Sequence, residues 1–258
     1  MTVRASVRID AWLPLGMDAM GHRGARDEAP ENTLAGFAHA RAIGVPAVEF
    51  DVQLSKDLQP VVIHDRTVDR TTNGSGPVKR LTRRQLERLD ARSVHPDADI
   101  ARSGVPHLTE VLDLLRRGPY LSVEIKKDTP RRLAKLLPLV VEALRAFRLL
   151  SNATLTSFDL TALTIAKEVA PRLSRGYIGA WDDPSWLHRA KEVGARTACV
   201  RLDPSSDAMV DRIHAAGLSI HSWMVNDPTA LRLARRRGSS HATTDRPTWL
   251  MELLRQRP

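Results

Sequence analysis

The feature that most constrains this sequence is a regular alternation between short apolar runs and segments with helical periodicity. Such an alternation is typical of parallel strands joined by crossover helices. The predicted strands are residues 19–21, 47–53, 121–125, 153–156, 174–178, 197–200, 219–223 and 241–243, and the predicted helices are residues 33–43, 109–116, 131–147, 160–169, 184–193, 206–216, 228–237 and 247–255. Strands and helices in this order predict an α/β fold, a closed (β/α)8 TIM barrel, and the 258 residues suit one barrel domain over residues 1–258.

One interval, residues 66–106, interrupts this alternation and is too long for an ordinary connection. It contains a turn-forming Asn-Gly-Ser-Gly run and a short helical pattern near residues 83–89, and residues 58–64 add a strand-like piece before it. We therefore predict a small insertion after the second strand, lying over the mouth of the barrel. Residues 1–18 are poorly patterned and are predicted to wrap around the base of the barrel.

Acidic side chains stand at the ends of two predicted strands, where barrel active sites form. Glu49 and Asp51 are two residues apart on one strand, so their carboxylates share a face. Burying two like charges side by side is costly, and a hard divalent cation with oxygen ligands relieves the repulsion. Glu124 ends another strand, and either a salt bridge to Lys126 or a third ligand position would explain it. We predict that Glu49, Asp51 and Glu124 hold one divalent cation, either Mg²⁺ or Ca²⁺.

Two histidines, His22 and His64, also lie at predicted strand ends, and they are the candidate general acid and base because imidazole titrates near neutral pH. Which of them is the acid and which is the base stays open. Arg23 and Lys126 are predicted to neutralise a phosphate group. Trp223 and Phe158 either wall the substrate pocket or belong to the barrel core. Asp245 and its neighbours are predicted to close the last loop.

The order of short motifs resembles the glycerophosphodiester phosphodiesterase family over residues 20–250. The motifs are Gly21-His22-Arg23-Gly24, Pro30-Glu31-Asn32-Thr33, Glu49-Phe50-Asp51-Val52, Val62-Ile63-His64-Asp65, Asp69-Arg70-Thr71-Thr72-Asn73-Gly74, Val123-Glu124-Ile125-Lys126, Trp223-Met224-Val225-Asn226 and Thr244-Asp245-Arg246-Pro247. The resemblance implies metal-dependent hydrolysis of a small-molecule glycerophosphodiester to glycerol 3-phosphate and an alcohol. It also implies that the insertion helps to cover the substrate. Water and the neighbouring glycerol hydroxyl are both open as the nucleophile.

Two other functions are compatible with such a barrel. A related phospholipase, acting in the manner of a lysophospholipase D, would need an apolar strip at the mouth, and residues 66–106 have few large apolar side chains. A non-catalytic phosphate-binding or nucleic-acid-binding barrel would use the net charge of +9, but its basic pairs are scattered over several predicted helices. We therefore expect no specific nucleic-acid partner.

The cellular context is constrained only loosely by the sequence. The single cysteine, Cys199, allows no intrachain disulfide and is expected to be a buried, inert thiol. The first residues lack the apolar core of a signal peptide, and no run is long enough for a membrane span, so we expect no stable membrane insertion and a cytoplasmic protein. The sequence leaves the oligomeric state open.

Overall fold

The protein is a barrel of parallel strands surrounded by helices. The computed structural model describes residues 16–95, 102–179, 183–202 and 207–255. In these ranges the strands are β1 (Asp18–Gly21), β2 (Ala47–Leu54), β3 (Pro60–Val62), β4 (Tyr120–Ile125), β5 (Ala153–Ser157), β6 (Ser174–Gly179), β7 (Thr197–Arg201), β8 (Ser219–Trp223) and β9 (His241–Thr244). All except β3 are parallel, in the order β1-β9-β8-β7-β6-β5-β4-β2, and a β1–β2 pairing closes the ring. The predicted TIM barrel is confirmed.

The helices follow the strands as the alternation predicts. They are α1 (Leu34–Ala42), α2 (Arg83–Glu87), α3 (Leu108–Leu115), α4 (Pro130–Ala146), α5 (Leu160–Val169), α6 (Trp186–Glu192), α7 (Asp207–Ala215), α8 (Pro228–Arg236) and α9 (Pro247–Arg255). The strand bounds and the bounds of the helices around the barrel all lie within two residues of those predicted. Residues 1–15 make up most of the segment predicted to wrap the barrel base, and they lie outside the described ranges.

The longest of these helices shows how the outer layer packs on the barrel. Leucine and valine side chains recur along α4 with the 3.6-residue period of a helix, and those at positions 133, 136, 137, 140, 141 and 144 are buried. They join the core cluster that contains Leu121 and Val123 of β4. Burial of this stripe fixes α4 against the barrel and leaves the polar interior faces of the strands to form the site.

Helix α1 begins directly after the loop that leaves β1, and its start is fixed by a side chain. Thr33 is fully buried, its Oγ1 accepts a hydrogen bond from the Gly36 backbone N–H at 3.0 Å, and the same hydroxyl donates to the Pro30 carbonyl at 2.8 Å. The chain leaves the helix through Gly44, whose φ of +74° lies in the left-handed region that glycine tolerates. Thr33 therefore caps α1 at its start, and Gly44 ends it.

The strand-like piece at residues 58–64 is also confirmed, because β3 pairs antiparallel with the end of β2. The described part of the insertion contains a short 3₁₀ helix at Val78–Arg80 as well as α2. Six buried side chains form a small apolar cluster of their own, namely Val61, Ile63, Val68, Val78, Leu86 and Val105. The insertion is therefore packed from β3 onwards rather than attached only by its ends. Nowhere in the described ranges does a helix combine the length and the apolar character that crossing a membrane requires.

Replacing Thr33 by alanine should destabilise the fold by about 1–2 kcal/mol, the usual cost of losing a helix N-cap side chain. Thr129→Ala is the matched control, because Thr129 caps α4 from an exposed position with a longer 3.4 Å hydrogen bond. Urea denaturation followed by circular dichroism measures both variants. Equal losses of stability in the two variants would show that burial of the Thr33 cap adds nothing.

Candidate active site

Three carboxylates meet at the carboxyl ends of β2 and β4. Glu49 and Asp51 share the interior face of β2, and the backbone register places Asp51 opposite Glu124 of β4. Glu49, Asp51 and Glu124 each offer one oxygen, and these oxygens all lie within 4.8 Å of one another. Asp51 is 1% exposed, so water does little to screen the cluster.

The electrostatics of these acids reflect their crowding. Burial, followed by repulsion from Asp51 and Glu124, raises the pKa of Glu49 well above its usual range. Burial and the charge of Asp51 raise the pKa of Glu124 to about 7. Burial also acts to raise the pKa of Asp51, but Lys126, His64 and Arg23 outweigh it and lower the pKa to about 2. Only Asp51 is therefore strongly held in its charged form by the protein alone.

The nearby basic and amide groups offset part of this repulsion. Lys126 Nζ lies 2.6 Å from Glu124 Oε1 and 3.2 Å from Asp51 Oδ1, so the Glu124–Lys126 salt bridge considered from the sequence is present. Asn32 Nδ2 donates to Asp51 Oδ2 at 2.8 Å. Two acids with raised pKa values remain in a buried set of oxygen donors. That combination fits a hard divalent cation, which would replace their protons.

The His-Arg-Gly turn after β1 brings a second set of groups to the cluster. A side chain at Gly21 would place its Cβ 2.0 Å from the Gly24 carbonyl oxygen, so only glycine permits this tight turn. Arg23 has a φ of 51°, and its backbone N–H donates to Glu49 Oε2 at 3.1 Å. The Arg23 side chain lies 3.5 Å from Asp51 through Nε and 2.8 Å from Glu31 through Nη1. Backbone strain at a non-glycine residue is here held by contacts with the acidic cluster.

Each candidate histidine is oriented by an aspartate. His22 Nδ1 donates to Asp245 Oδ1 at 2.6 Å, and Asn226 Nδ2 donates to Asp245 Oδ2 at 2.7 Å. His64 Nδ1 donates to Asp65 Oδ1 at 2.6 Å. Because a carboxylate accepts at Nδ1, the other ring nitrogen, Nε2, is left to contact a ligand. His22 Nε2 lies 3.9 Å from Glu49 Oε2, beside the acidic cluster.

These groups share one cavity of about 320 Å³ that extends down into the barrel. The predicted site residues in its wall are His22, Arg23, Glu49, His64, Glu124, Phe158 and Trp223. Phe158 and Trp223 make an edge-to-face contact at 6.1 Å between ring centroids, and Phe158 is 39% exposed. Of the two interpretations considered from the sequence, pocket wall and barrel core, this position matches the pocket wall. Asp51 and Lys126 are not among the lining residues, but Lys126 contacts both Asp51 and the lining residue Glu124.

Several residues near the site were missed or given another role from the sequence. Asp245 was predicted to close the last loop, yet it contacts His22, and Asn226 and Asp65 were not assigned a role at all. The motifs that contain them were visible, but nothing local in a sequence shows which strand ends become neighbours. The cavity floor also includes His221 and Cys199. Burial raises the pKa of the Cys199 thiol, in keeping with the predicted inert cysteine.

The fold and the site define a class: a (β/α)8 barrel with an acidic cluster and two histidine–aspartate pairs at the carboxyl ends of its strands. Residues 22–248 match the Glycerophosphoryl diester phosphodiesterase family, and the chain belongs to that family.

Individual relatives agree with this assignment. The chain is similar to a glycerophosphodiester phosphodiesterase of Caldanaerobacter subterraneus subsp. tengcongensis, with 31% identity over 92% of this chain and 97% of the relative. Among solved structures it is similar to an Oleispira antarctica phosphodiesterase in complex with the product sn-glycerol-3-phosphate, at 27% identity, with a TM-score of 0.83 over 93% of this chain and 97% of that one. A glycerophosphodiester phosphodiesterase from Agrobacterium tumefaciens is similar at 27% identity and a TM-score of 0.74, covering 90% and 98%.

The raised pKa of Glu124 leads to a pH-dependent stability of the metal-free protein. The folded state holds a proton on Glu124 up to about pH 7, whereas the unfolded chain releases that proton near pH 4.5. The stability that this difference contributes is complete below pH 4.5 and is lost as the pH rises through about 7. The melting temperature of the metal-free protein should therefore fall between pH 5 and pH 8. Glu124→Gln should flatten this slope, and added Mg²⁺ or Ca²⁺ should raise the melting temperature more at pH 8 than at pH 5.

Thermal unfolding with and without the cation at both pH values measures this effect. Glu142→Gln is the matched control, because Glu142 is exposed on α4 and should leave the slope unchanged. An unchanged slope in Glu124→Gln would contradict the raised pKa of Glu124, and a cation effect independent of pH would contradict the predicted binding of a cation by this cluster.

Proposed function

We propose that this protein hydrolyses glycerophosphodiesters to glycerol 3-phosphate and an alcohol with the help of one divalent cation, Mg²⁺ or Ca²⁺. The observation that carries the proposal is the convergence of three buried carboxylates and two aspartate-oriented histidines on a single cavity. Membership of the family supports it, as does the neighbour of known structure that was solved with sn-glycerol-3-phosphate.

Glu49, Asp51 and Glu124 would hold the cation. Once bound, the cation supplies Lewis-acid stabilisation of negative charge on phosphoryl oxygens. The protein's own contribution at this point is a set of oxygen donors fixed on two adjacent strands, with Asn32 orienting Asp51. A donor set fixed before the ligand arrives keeps the cost of reorganisation low during the reaction.

Arg23 and Lys126 bind the substrate phosphate in this proposal. Arg23 is 8% exposed and lies in the cavity wall, so a phosphate there would meet a guanidinium that is poorly screened by water. Lys126 is held between Asp51 and Glu124, close to the cavity. The positive side chains of Arg23 and Lys126 both offset the charge of a phosphodiester in the ground state as well as in the transition state.

His22 and His64 carry the protons. One imidazole takes a proton from the nucleophile, and the other gives a proton to the departing alkoxide, so that the P–O bond breaks with a neutral alcohol as the leaving group. Burial lowers the pKa of His64, which favours the neutral imidazole near pH 7. The nucleophile is either water or the adjacent glycerol hydroxyl, and the second route passes through a cyclic phosphate.

The remaining parts of the proposal concern the cavity mouth. Phe158 and Trp223 would contact the apolar carbons of the substrate. The insertion over residues 66–106 would cover the bound substrate. This covering role is supported by a hydrogen bond that His95 Nε2 donates to the Arg26 carbonyl at 2.7 Å, because it joins the insertion to the loop that follows β1.

A release assay tests the proposed function directly. Glycerophosphocholine, glycerophosphoethanolamine, lysophosphatidylcholine and bis-(p-nitrophenyl) phosphate are incubated with the protein, and glycerol 3-phosphate is measured enzymatically alongside total diester loss. We expect turnover of the first two compounds, its loss in EDTA, and recovery on addition of Mg²⁺ or Ca²⁺. Turnover of lysophosphatidylcholine alone would favour the phospholipase alternative, and full activity in a metal-stripped sample would contradict the cation requirement.

Substitutions separate proton transfer from phosphate binding. His22→Ala and His64→Ala should each lower kcat by roughly 10²–10⁴-fold with a smaller effect on KM, because proton transfer is needed only in the transition state. Lys126→Ala should raise KM along with any loss of kcat, because its charge meets the phosphate in both states. His188→Ala is the control, since His188 lies exposed on α6. A folded histidine variant with near-normal kcat would show that this histidine has a structural role only.

A further inference from the structure

Arg70 lies in the insertion and contacts two carboxylates that belong to different parts of the site. Its Nη1 and Nη2 donate to the two carboxylate oxygens of Glu31 at 2.7 and 2.8 Å. Its Nε and Nη2 donate to the two oxygens of Asp65 at 2.7 and 3.2 Å. Both edges of one guanidinium are therefore used, each in a paired contact with a carboxylate.

The contact between Arg70 and Asp65 leads to His64. Asp65 accepts the Nδ1 proton of His64 at 2.6 Å and accepts the hydrogen bonds of Arg70 at the same time. Arg70 is the largest cause of the lowered pKa of Asp65, ahead of the hydrogen bond from His64. Arg70 thus fixes the rotamer of Asp65, and Asp65 fixes the direction in which the His64 ring points.

The contact between Arg70 and Glu31 leads to Arg23. Glu31 accepts from Arg23 Nη1 at 2.8 Å, and its side chain is only 2% exposed. Burial acts to raise the pKa of Glu31, but the hydrogen bonds and charges of Arg70 and Arg23 lower it overall, so Glu31 is charged. A buried charge in this position needs its partners, and Arg70 supplies two of the hydrogen bonds that hold Glu31 against Arg23.

The geometry of the contact requires an arginine. Lysine offers a single ammonium group that could serve one of the two carboxylates but not both in paired geometry. Within the described ranges, no other side chain contacts both Glu31 and Asp65. The Arg70 side chain is nevertheless 37% exposed, so a small solute can reach the place of its guanidinium.

We propose that Arg70 is a positioning residue that couples the insertion to the reaction by fixing His64 through Asp65 and Arg23 through Glu31. The expected effect of Arg70 on kcat and KM rests on the proposed function, whereas its expected effect on side-chain orientation rests on the observed contacts alone. It assigns to the insertion a part in the chemistry that is separate from covering the substrate.

The kinetic test uses Arg70→Gln, Arg70→Lys and Arg70→Ala in the full chain, with glycerophosphocholine as substrate and a saturating divalent cation. Loss of an outer partner that orients a metal-ligating side chain typically costs 10- to 100-fold in metal affinity or activity, and we take the same range for the orientation of His64. We expect kcat to fall by about that factor through His64 and KM to rise through Arg23, with Arg70→Lys no better than partly active. Arg80→Gln is the matched control, because Arg80 is an exposed arginine of the same insertion, and it should retain wild-type kcat and KM.

Chemical rescue separates positioning from general stability. Millimolar guanidinium chloride should restore kcat in Arg70→Ala, because the solute occupies the exposed guanidinium position, and it should not raise kcat of the wild type or of His64→Ala. Absence of rescue in a variant that melts at the wild-type temperature would overturn the proposal. So would a change in KM or kcat of equal size in Arg80→Gln.

A crystal structure of Arg70→Gln decides the proposal without any activity measurement. We expect His64 and Asp65, or Arg23 and Glu31, to adopt other rotamers in that variant. Unmoved side chains at all four positions would overturn the proposal even if the enzyme is active. A wild-type protein that hydrolyses none of the diesters would instead overturn the proposed function, and the rotamers would still decide whether Arg70 positions these groups.

Discussion

The mutual repulsion of three carboxylates in a poorly solvated place is the constraint on which the rest of this site depends. One oxygen each of Glu49, Asp51 and Glu124 lies within 4.8 Å of the others, because two neighbouring strands carry these residues in a register that places Asp51 opposite Glu124. Lys126, Arg23 and Asn32 are arranged so that Asp51 stays charged, while the pKa values of the two glutamates remain raised. The apolar outer layer makes this arrangement possible, because it supplies the stability that a cluster of like charges removes.

Most of the fold and the Glu49–Asp51 pair could be predicted because both follow from local periodicities. A two-residue spacing places Glu49 and Asp51 on one face of a strand, and apolar runs of strand length mark where each strand ends. The partners of the histidines could not be predicted in the same way. His22 and Asp245 are 223 positions apart, and they meet because β1 pairs with β9 in a register that places Gly21 opposite Thr244. A slip of one residue would turn Asp245 to the other face, and nothing local in the sequence fixes that register.

The arginines show a second limit of sequence interpretation. A net charge of +9 from scattered basic residues suggests basic side chains exposed to solvent, and Arg80 fits that expectation. Arg175 does not, because it is 5% exposed and donates to backbone carbonyl oxygens at the ends of neighbouring elements, such as Val193 and Leu173. Arg23 is also buried, among carboxylates. Composition counts these residues alike, although one is in solvent, one satisfies backbone oxygens and one balances a buried acidic cluster.

The groups of the site differ in what holds them, and this difference determines which parts of the chain can alter the chemistry. The three acids stand on β2 and β4 and are fixed by the barrel itself. The histidines depend on side chains from elsewhere: His22 on Asp245 after the last strand, and His64 on Asp65, which Arg70 of the insertion holds in turn. The geometry of the acidic cluster is therefore tied to the barrel strands, whereas the direction of the imidazoles is tied to loops. Changes in the insertion can then turn the His64 ring while the strands that carry the acidic cluster remain intact, because no strand hydrogen bond has to break for Asp65 to change rotamer.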